Sequence, residues 1–391
     1  MTQMSGRTAG GGVLVWDLPT RVFHWLFAGS FAVAWLTHES SRLLDVHVFA
    51  GYLFGTLLVF RLVWGMAGGR YARFRSFAWS WREARTYLID VLRGRAHRHL
   101  GHNPAGSWAI YAMLALGVAV AATGIGVLGG EERHGPLAGL LSFRAGAVLH
   151  EAHELAAIAM LLLVLGHLAG VVVESAVHRE NLIAAMVNGR KRGPAPPAHA
   201  YRALGIALLL VSLLGAGTWF SGHLLASPDR PYLPFTGPSL PDNATWRAEC
   251  GSCHLAYHPV LLPARSWERM MVGQTDHFGD DLALDADTAA AITAFLRTNA
   301  AEGEQTEAAW KIHTTTPATQ APLRITATRY WRAAHRTIPD TAFATEPVNG
   351  RHDCTACHLD AEQGTFEDAA MRLPDPGTRL STTQPPKEGT S

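Results

Sequence analysis

The chain has 391 residues, enough for two or three domains, and 48% of them are apolar, with 33 Lys and Arg against 32 Asp and Glu. No Walker loop or dinucleotide fingerprint stands at a strand-to-helix junction: Gly10-Gly11-Gly12 precedes an apolar run, so nucleotide chemistry has no motif to rest on. A mean hydropathy near zero hides two unlike halves, because long apolar runs stop near residue 220 and Pro, charged and polar residues rise after it.

In the first half, five stretches approach the roughly 20-residue length needed to cross a bilayer. They lie at about 22–37, 46–66, 107–129, 147–173 and 202–220. Residues 1–20 lack the apolar core and cleavage site of a signal peptide, so no cleavage is expected. The connection after the second stretch carries Arg70, Arg73, Arg75, Arg82, Arg85, Arg93, Arg95 and Arg98; the one after the fourth carries Arg179, Arg190, Lys191, Arg192 and Arg202. Positive short loops stay in the cytoplasm, which places the N-terminus inside and the C-terminal half outside. That topology explains the arginines, so no nucleic-acid partner is expected. His97, His99 and His102 read as part of a solvated loop. Residues 189–200, with Pro194, Pro196 and Pro197, read as a cytoplasmic linker.

Ionisable groups within a span are costly and point to function. His24 opens span one, His47 opens span two, and His150, His153 and His167 lie in span four. His153 and His167 are fourteen residues apart, about 21 Å along a helix and within about 40° of the same face. His150 is turned about 100° from His167, and reads as a neighbour or a propionate partner rather than a ligand. Antiparallel spans bring His24 level with His167 and His47 level with His153. Two bis-histidine haems b in one four-helix bundle follow from this placement. Arg61, fourteen residues beyond His47, should lie near the cytoplasmic haem, either binding a propionate or snorkelling to the surface.

The second half uses every cysteine of the chain in two strings, Cys250-Gly-Ser-Cys253-His254 and Cys354-Thr-Ala-Cys357-His358. Each spells C-x-x-C-H, in which two thiols bond covalently to a haem c and the histidine becomes an iron ligand. A four-cysteine zinc site would leave both histidines unexplained. The opposite ligands need another source. His258 and His352 stand too close to their own motifs, which leaves His277, His313 and His335, with Met270 and Met271 as sulfur candidates; His313 sits in a Thr-rich, solvated segment. Residues 374–391, rich in Pro, Thr and Gly, read as disordered.

Several strings carry a family resemblance. Val15-Trp16-Asp17-Leu18-Pro19-Thr20-Arg21-Val22-Phe23-His24-Trp25, His47 with Gly51-Tyr52, Arg61-Leu62-Val63-Trp64-Gly65, the His150 to His167 span, and Glu180-Asn181-Leu182 to Gly189-Arg190-Lys191-Arg192 resemble the bacterial cytochrome b561 family. That family includes the b-type subunits of nickel-iron hydrogenases. The resemblance covers about half the chain and implies a dihaem b bundle with His24, His47, His153 and His167 as ligands. From about residue 240, Cys250 to His254, Leu261-Leu262-Pro263-Ala264-Arg265-Ser266-Trp267, Asp276-His277-Phe278-Gly279, Tyr330-Trp331 with His335, and Cys354 to His358 resemble the small periplasmic dihaem cytochromes c. This second resemblance implies an electron carrier with bis-histidine haems and favours His277 and His335 as the remaining ligands. His277 is assigned to the first haem c and His335 to the second, with the crossed pairing open.

The expected architecture is all-α: a four-helix membrane domain over 1–200, a fifth transmembrane helix over 201–221 as tether, a mainly helical dihaem domain over 222–373, and a tail. The expected function is electron transfer between membrane quinone and a periplasmic cytochrome or other redox protein, through two haems b and two haems c. The expected location is the inner membrane of a bacterium, multi-pass, with the c domain periplasmic. Two alternatives stand beside it: a b-type subunit of a hydrogenase-type complex, and a quinol or superoxide oxidoreductase.

Overall fold

The computed structural model describes residues 12–39, 43–224, 240–367 and 370–372, the side chains of 219–224 excepted. The expectations for the extreme N-terminus, the start of the C-terminal domain and the tail fall outside the described residues. The chain divides into two compact units: Met1–Gly126 with Val148–Ala226, and Val127–Ala147 with Ser227–Ser391.

In the first unit a strand, β1 (Val13–Leu14), precedes α1 (Leu18–Thr37). Asp17 starts this helix by accepting the Thr20 amide at 2.9 Å, with Pro19 inside the first turn. α2 (Leu44–Ala67) follows, then α3 (Trp81–Leu92), where Ser80 accepts the Glu83 amide; Ser80 and Glu83 have the spacing of a capping box. α4 (Pro104–Gly130) and α5 (Phe143–Val177) are the long apolar pair. α6 (Leu182–Asn188) is capped by Asn181 and closed by Gly189 in the left-handed region at φ 80°. A Cβ at Gly189 would come within 2.5 Å of the Trp16 carbonyl, so only glycine lets the chain pass here. β2 (Arg190–Lys191) then pairs antiparallel with β1, and α7 (Arg202–Leu224) packs on α1.

Among the described helices, α2, α4 and α5 are long and apolar enough to cross a membrane; α1 is not among them, and α7 has a shorter apolar part, Arg202–Thr218. α1 packs against α2. Gly55 and Gly117 mark where α2 and α4 meet, against Ala121 and Phe54 respectively. Phe23, Ala50, Phe54, Leu57, Leu58, Leu114 and Met160 form the buried interior. Leu155, Leu162 and Val172 of α5 are more than half exposed, and only 6% of its most apolar stretch is buried, which is the surface of a helix solvated by lipid.

The second unit is built from short helices: α8 (Ala244–Cys250), α9 (Ala264–Val272), α10 (Ala286–Thr298), α11 (Glu307–Thr315) and α12 (Arg329–Ala334). Side chains of Asn243, Asp285, Thr306 and Thr328 cap four of them. One apolar cluster joins Trp246, Leu262, Trp267, Met271, Ile292 and Leu296; another joins Val260, Leu261, Ala301, Ala308, Ala309 and Ile312. The segment between α4 and α5 belongs to this unit: Phe143 stacks on Trp310 at 6.1 Å, and His134 lies 3.6 Å from Glu367.

Candidate functional site

The eight histidines singled out from the sequence stand in four pairs. His24 of α1 faces His167 of α5 with ring centres 6.5 Å apart, and His47 of α2 faces His153 of α5 at 6.2 Å. In the second unit His254 faces His277 at 6.2 Å, and His335 faces His358 at 6.1 Å. A metal held between two imidazoles by bonds of about 2 Å keeps their centres about 6 Å apart. All four separations match that spacing.

The hydrogen bonds agree on which ring nitrogen is left for iron. Nδ1–H of His47 donates to the Ala34 carbonyl at 2.9 Å, and that of His153 to the Val120 carbonyl at 3.0 Å. His254 and His335 donate in the same way to the carbonyls of Leu255 at 2.7 Å and Trp331 at 2.8 Å. A carbonyl only accepts, so the proton is on Nδ1 and Nε2 carries the free lone pair. This is the usual support of a metal-binding histidine, which fixes the ring and raises its basicity. His24 differs: its Nδ1 is buried with no hydrogen-bond partner among the described residues. Gly124 of α4 lies against His153, and a Cβ there would press to 3.0 Å of the ring.

In the second unit the ligand candidates come from turns. His335 ends α12 and stacks on Trp331 at 4.3 Å; His277 follows a short 3-10 turn. Burial, then the neighbouring His254, holds His277 below the usual histidine range, and burial does the same for His335. Both are neutral at pH 7, the form that binds iron. The four cysteines form no disulfide, and burial pushes the thiols of Cys250 and Cys354 up to about 11. No group of three or more His, Cys, Asp or Glu side chains converges among the described residues, and a four-cysteine zinc site would leave His254 and His358 without a role. The donor set therefore fits covalent haem with histidine pairs.

Other side chains sort themselves by environment. His277 stands at His254 and His335 at His358; the crossed arrangement is not the one built. His258 is buried and donates to the Pro241 carbonyl, a structural role, while His352 is exposed and His313 lies half-exposed beside Glu304. Met271 is in the core with Met270 against it. His150 is 3.7 Å from Glu154 on an exposed face. Two readings change. Arg61 does not snorkel: it is 4% exposed. His102 is not a solvated loop residue: its ring packs on Trp16 at 4.6 Å and Phe77 at 4.3 Å, and burial lowers it to about 3. Nothing in the local sequence separates His102 from His97 and His99, because its packing partners come from distant segments.

Residues 15–189 match the family model described as prokaryotic cytochrome b561, and residues 246–366 match dihaem cytochrome c. Similar proteins include the probable Ni/Fe-hydrogenase 1 B-type cytochrome subunit of Escherichia coli K12, 26% identical over 213 residues, covering 45% of this chain and 88% of that protein. The corresponding subunit of Azotobacter vinelandii is 28% identical over 211 residues, covering 45% and 87%. Among solved structures, a diheme cytochrome c from Rhodobacter sphaeroides is 32% identical, covering 33% of this chain and all of that one, with a TM-score of 0.30. A diheme cytochrome from Shewanella baltica is 31% identical, covering 34% and 94%, with a TM-score of 0.28. The b-type part is a membrane cytochrome related to hydrogenase cytochrome subunits, the c-type part implies covalent haem, and the two together support electron transfer. This chain joins a prokaryotic cytochrome b561 domain at residues 15–189 to a dihaem cytochrome c domain at residues 246–366.

Proposed function

We propose that this protein moves electrons between membrane quinone and a periplasmic redox protein through four bis-histidine haems. The observation that carries the reading is the set of four histidine pairs at 6.1–6.5 Å, two of them along one helix. Haem b would be held by His24 with His167 and by His47 with His153. Haem c would be held by Cys250, Cys253 and His254 with His277, and by Cys354, Cys357 and His358 with His335. When bound, haem iron supplies one-electron chemistry.

The chain's own residues set the conditions. Carbonyls of Ala34 and Val120 hold two imidazoles in one orientation. Phe23, Phe54 and Met160 keep water out of the bundle, and low polarity is one of the levers on a haem's potential. Histidine on both sides of an iron gives a lower potential than histidine with methionine. The proposed domains are a b561 domain over 1–200, a tether over 201–221, a dihaem c domain over 222–373 and a tail over 374–391. The proposed setting is a bacterial inner membrane with the N-terminus cytoplasmic and the c domain periplasmic, supported by the arginine-rich connections.

The likeness to Ni/Fe-hydrogenase B-type subunits supports a second reading, in which a catalytic partner feeds or drains the b domain. The fused c domain weighs against it, because it would already give the chain an electron carrier of its own. Haemochrome quantification on the purified chain, before and after quinol, tests the proposal. Two b and two c haems per chain, all reduced by quinol alone, are expected. Haem b that stays oxidised with quinol would sink the quinone relay and point to a partner subunit as donor.

A further inference from the structure

Arg61 of α2 is a buried charge with no direct counter-ion contact among the described residues. It is 4% exposed, its Nη1 is buried, and it makes no hydrogen bond or ion pair among the described residues. A guanidinium stays protonated, and an unpaired buried charge is strongly unfavourable. Phe74 and Phe77 lie over its faces at 4.8 and 5.8 Å, which leaves the N–H edges unanswered. The carboxylate in electrostatic reach, Asp17, is already engaged: it accepts the Thr20 amide at 2.9 Å and the Trp64 indole at 3.3 Å. Among the described residues Arg61 thus has an anion in electrostatic reach but no ion pair or hydrogen bond to it.

A second polar group shares the place. His102 packs on the same Phe77 ring, its Nδ1 is buried without a partner among the described residues, and it lies in electrostatic reach of both Arg61 and His167. Level along the bundle is fixed by neighbours: Phe23, next to His24, meets Phe60, next to Arg61, at 6.2 Å. Two unsatisfied donors therefore stand at the height of the His24–His167 pair. A haem brings two propionate carboxylates, and a buried guanidinium with an imidazole N–H beside it is a fitting receptor for one of them.

We infer that Arg61, with His102 as second donor, binds a propionate of the haem held by His24 and His167. This rests on the haem assignment proposed above and adds the residues that would orient and tune that haem. A fixed positive charge at a propionate would favour the reduced state, so Arg61 would raise the midpoint potential of this haem relative to the same haem without it.

The test is a redox titration of the b-haem bands of the purified full chain, with haem counted by haemochrome, for wild type, Arg61→Gln, Arg61→Met and Arg61→Lys. In Arg61→Gln one b haem becomes harder to reduce by about tenfold or more, 59 mV for one electron, while the other b haem and both c haems stay put. Arg61→Met, which keeps the stem's volume, gives the same result, and Arg61→Lys stays near wild type. If Gln and Met variants lose that haem while Lys keeps it, the anchor is upheld. Unchanged b midpoints overturn it, as does equal haem loss in all three variants, which marks a structural role. Unmoved midpoints with a raised KM for quinol would assign Arg61 to a quinone carbonyl instead. Absence of haem b from the wild type defeats the haem assignment itself, a result separate from all of these.

Discussion

The two halves place histidine pairs by opposite means. In the first unit, partners lie more than a hundred residues apart in sequence and meet because long helices run side by side; α5 alone is 35 residues. In the second, the longest described helix, α10, has 13 residues, and the histidines sit in turns and at helix ends. The bundle positions its ligands through regular helix geometry. The c domain has two small apolar clusters and relies on covalent attachment to tie its loops together. A small domain with little core needs such a staple.

This contrast is easiest to break at the attachment cysteines. Cys354→Ala with Cys357→Ala abolishes covalent attachment of one haem c and unfolds much of the c domain, leaving the b haems; haem staining of denaturing gels and the b-band spectrum read both. Equal loss of haem b would mean the halves do not fold independently. Next come the membrane histidines: His153→Ala and His167→Ala each remove one haem b, leaving the other b haem and both haems c, counted by haemochrome. Trp246→Ala opens the larger c-domain cluster at a residue 1% exposed and costs about 3–5 kcal/mol. Thermal melts followed at the c bands should fall well before those followed at the b bands. Gly189→Ala forces a side chain into the left-handed region against Trp16 and costs about 1–2 kcal/mol, seen in the b-band melt alone. Smallest is Asn243→Ala, which removes the α8 cap for about 1 kcal/mol and moves only the c-band melt.

What the sequence made legible follows the same division. His24, His47, His153 and His167 were readable because a helix converts residue number into height and angle, and the pairs lie where that arithmetic puts them. The C-x-x-C-H strings were readable as chemistry. His277 and His335 were not readable by spacing, since turns have no fixed period; they needed family resemblance. Arg61 stayed open between a propionate and the surface, and His102 escaped, for a different reason: whether a polar side chain is buried depends on Phe74, Phe77 and Trp16, which fold over them from other segments. The capping box at Ser80 and Glu83 was on view in the arginine-rich connection, where charge drew attention away from α3. The attachment of 127–147 to the second unit rests on distant contacts such as Phe143 with Trp310, which no local pattern announces.

One helix supplying both His153 and His167 has a mechanical consequence. Because α5 is unbroken from Phe143 to Val177, the two rings share a single rigid shaft. Turning the shaft moves both rings together, whereas adding one residue between them twists one against the other by about 100°. The bundle can therefore drift in sequence at almost any lipid-facing position of α5, but the thirteen residues between its histidines are fixed in number.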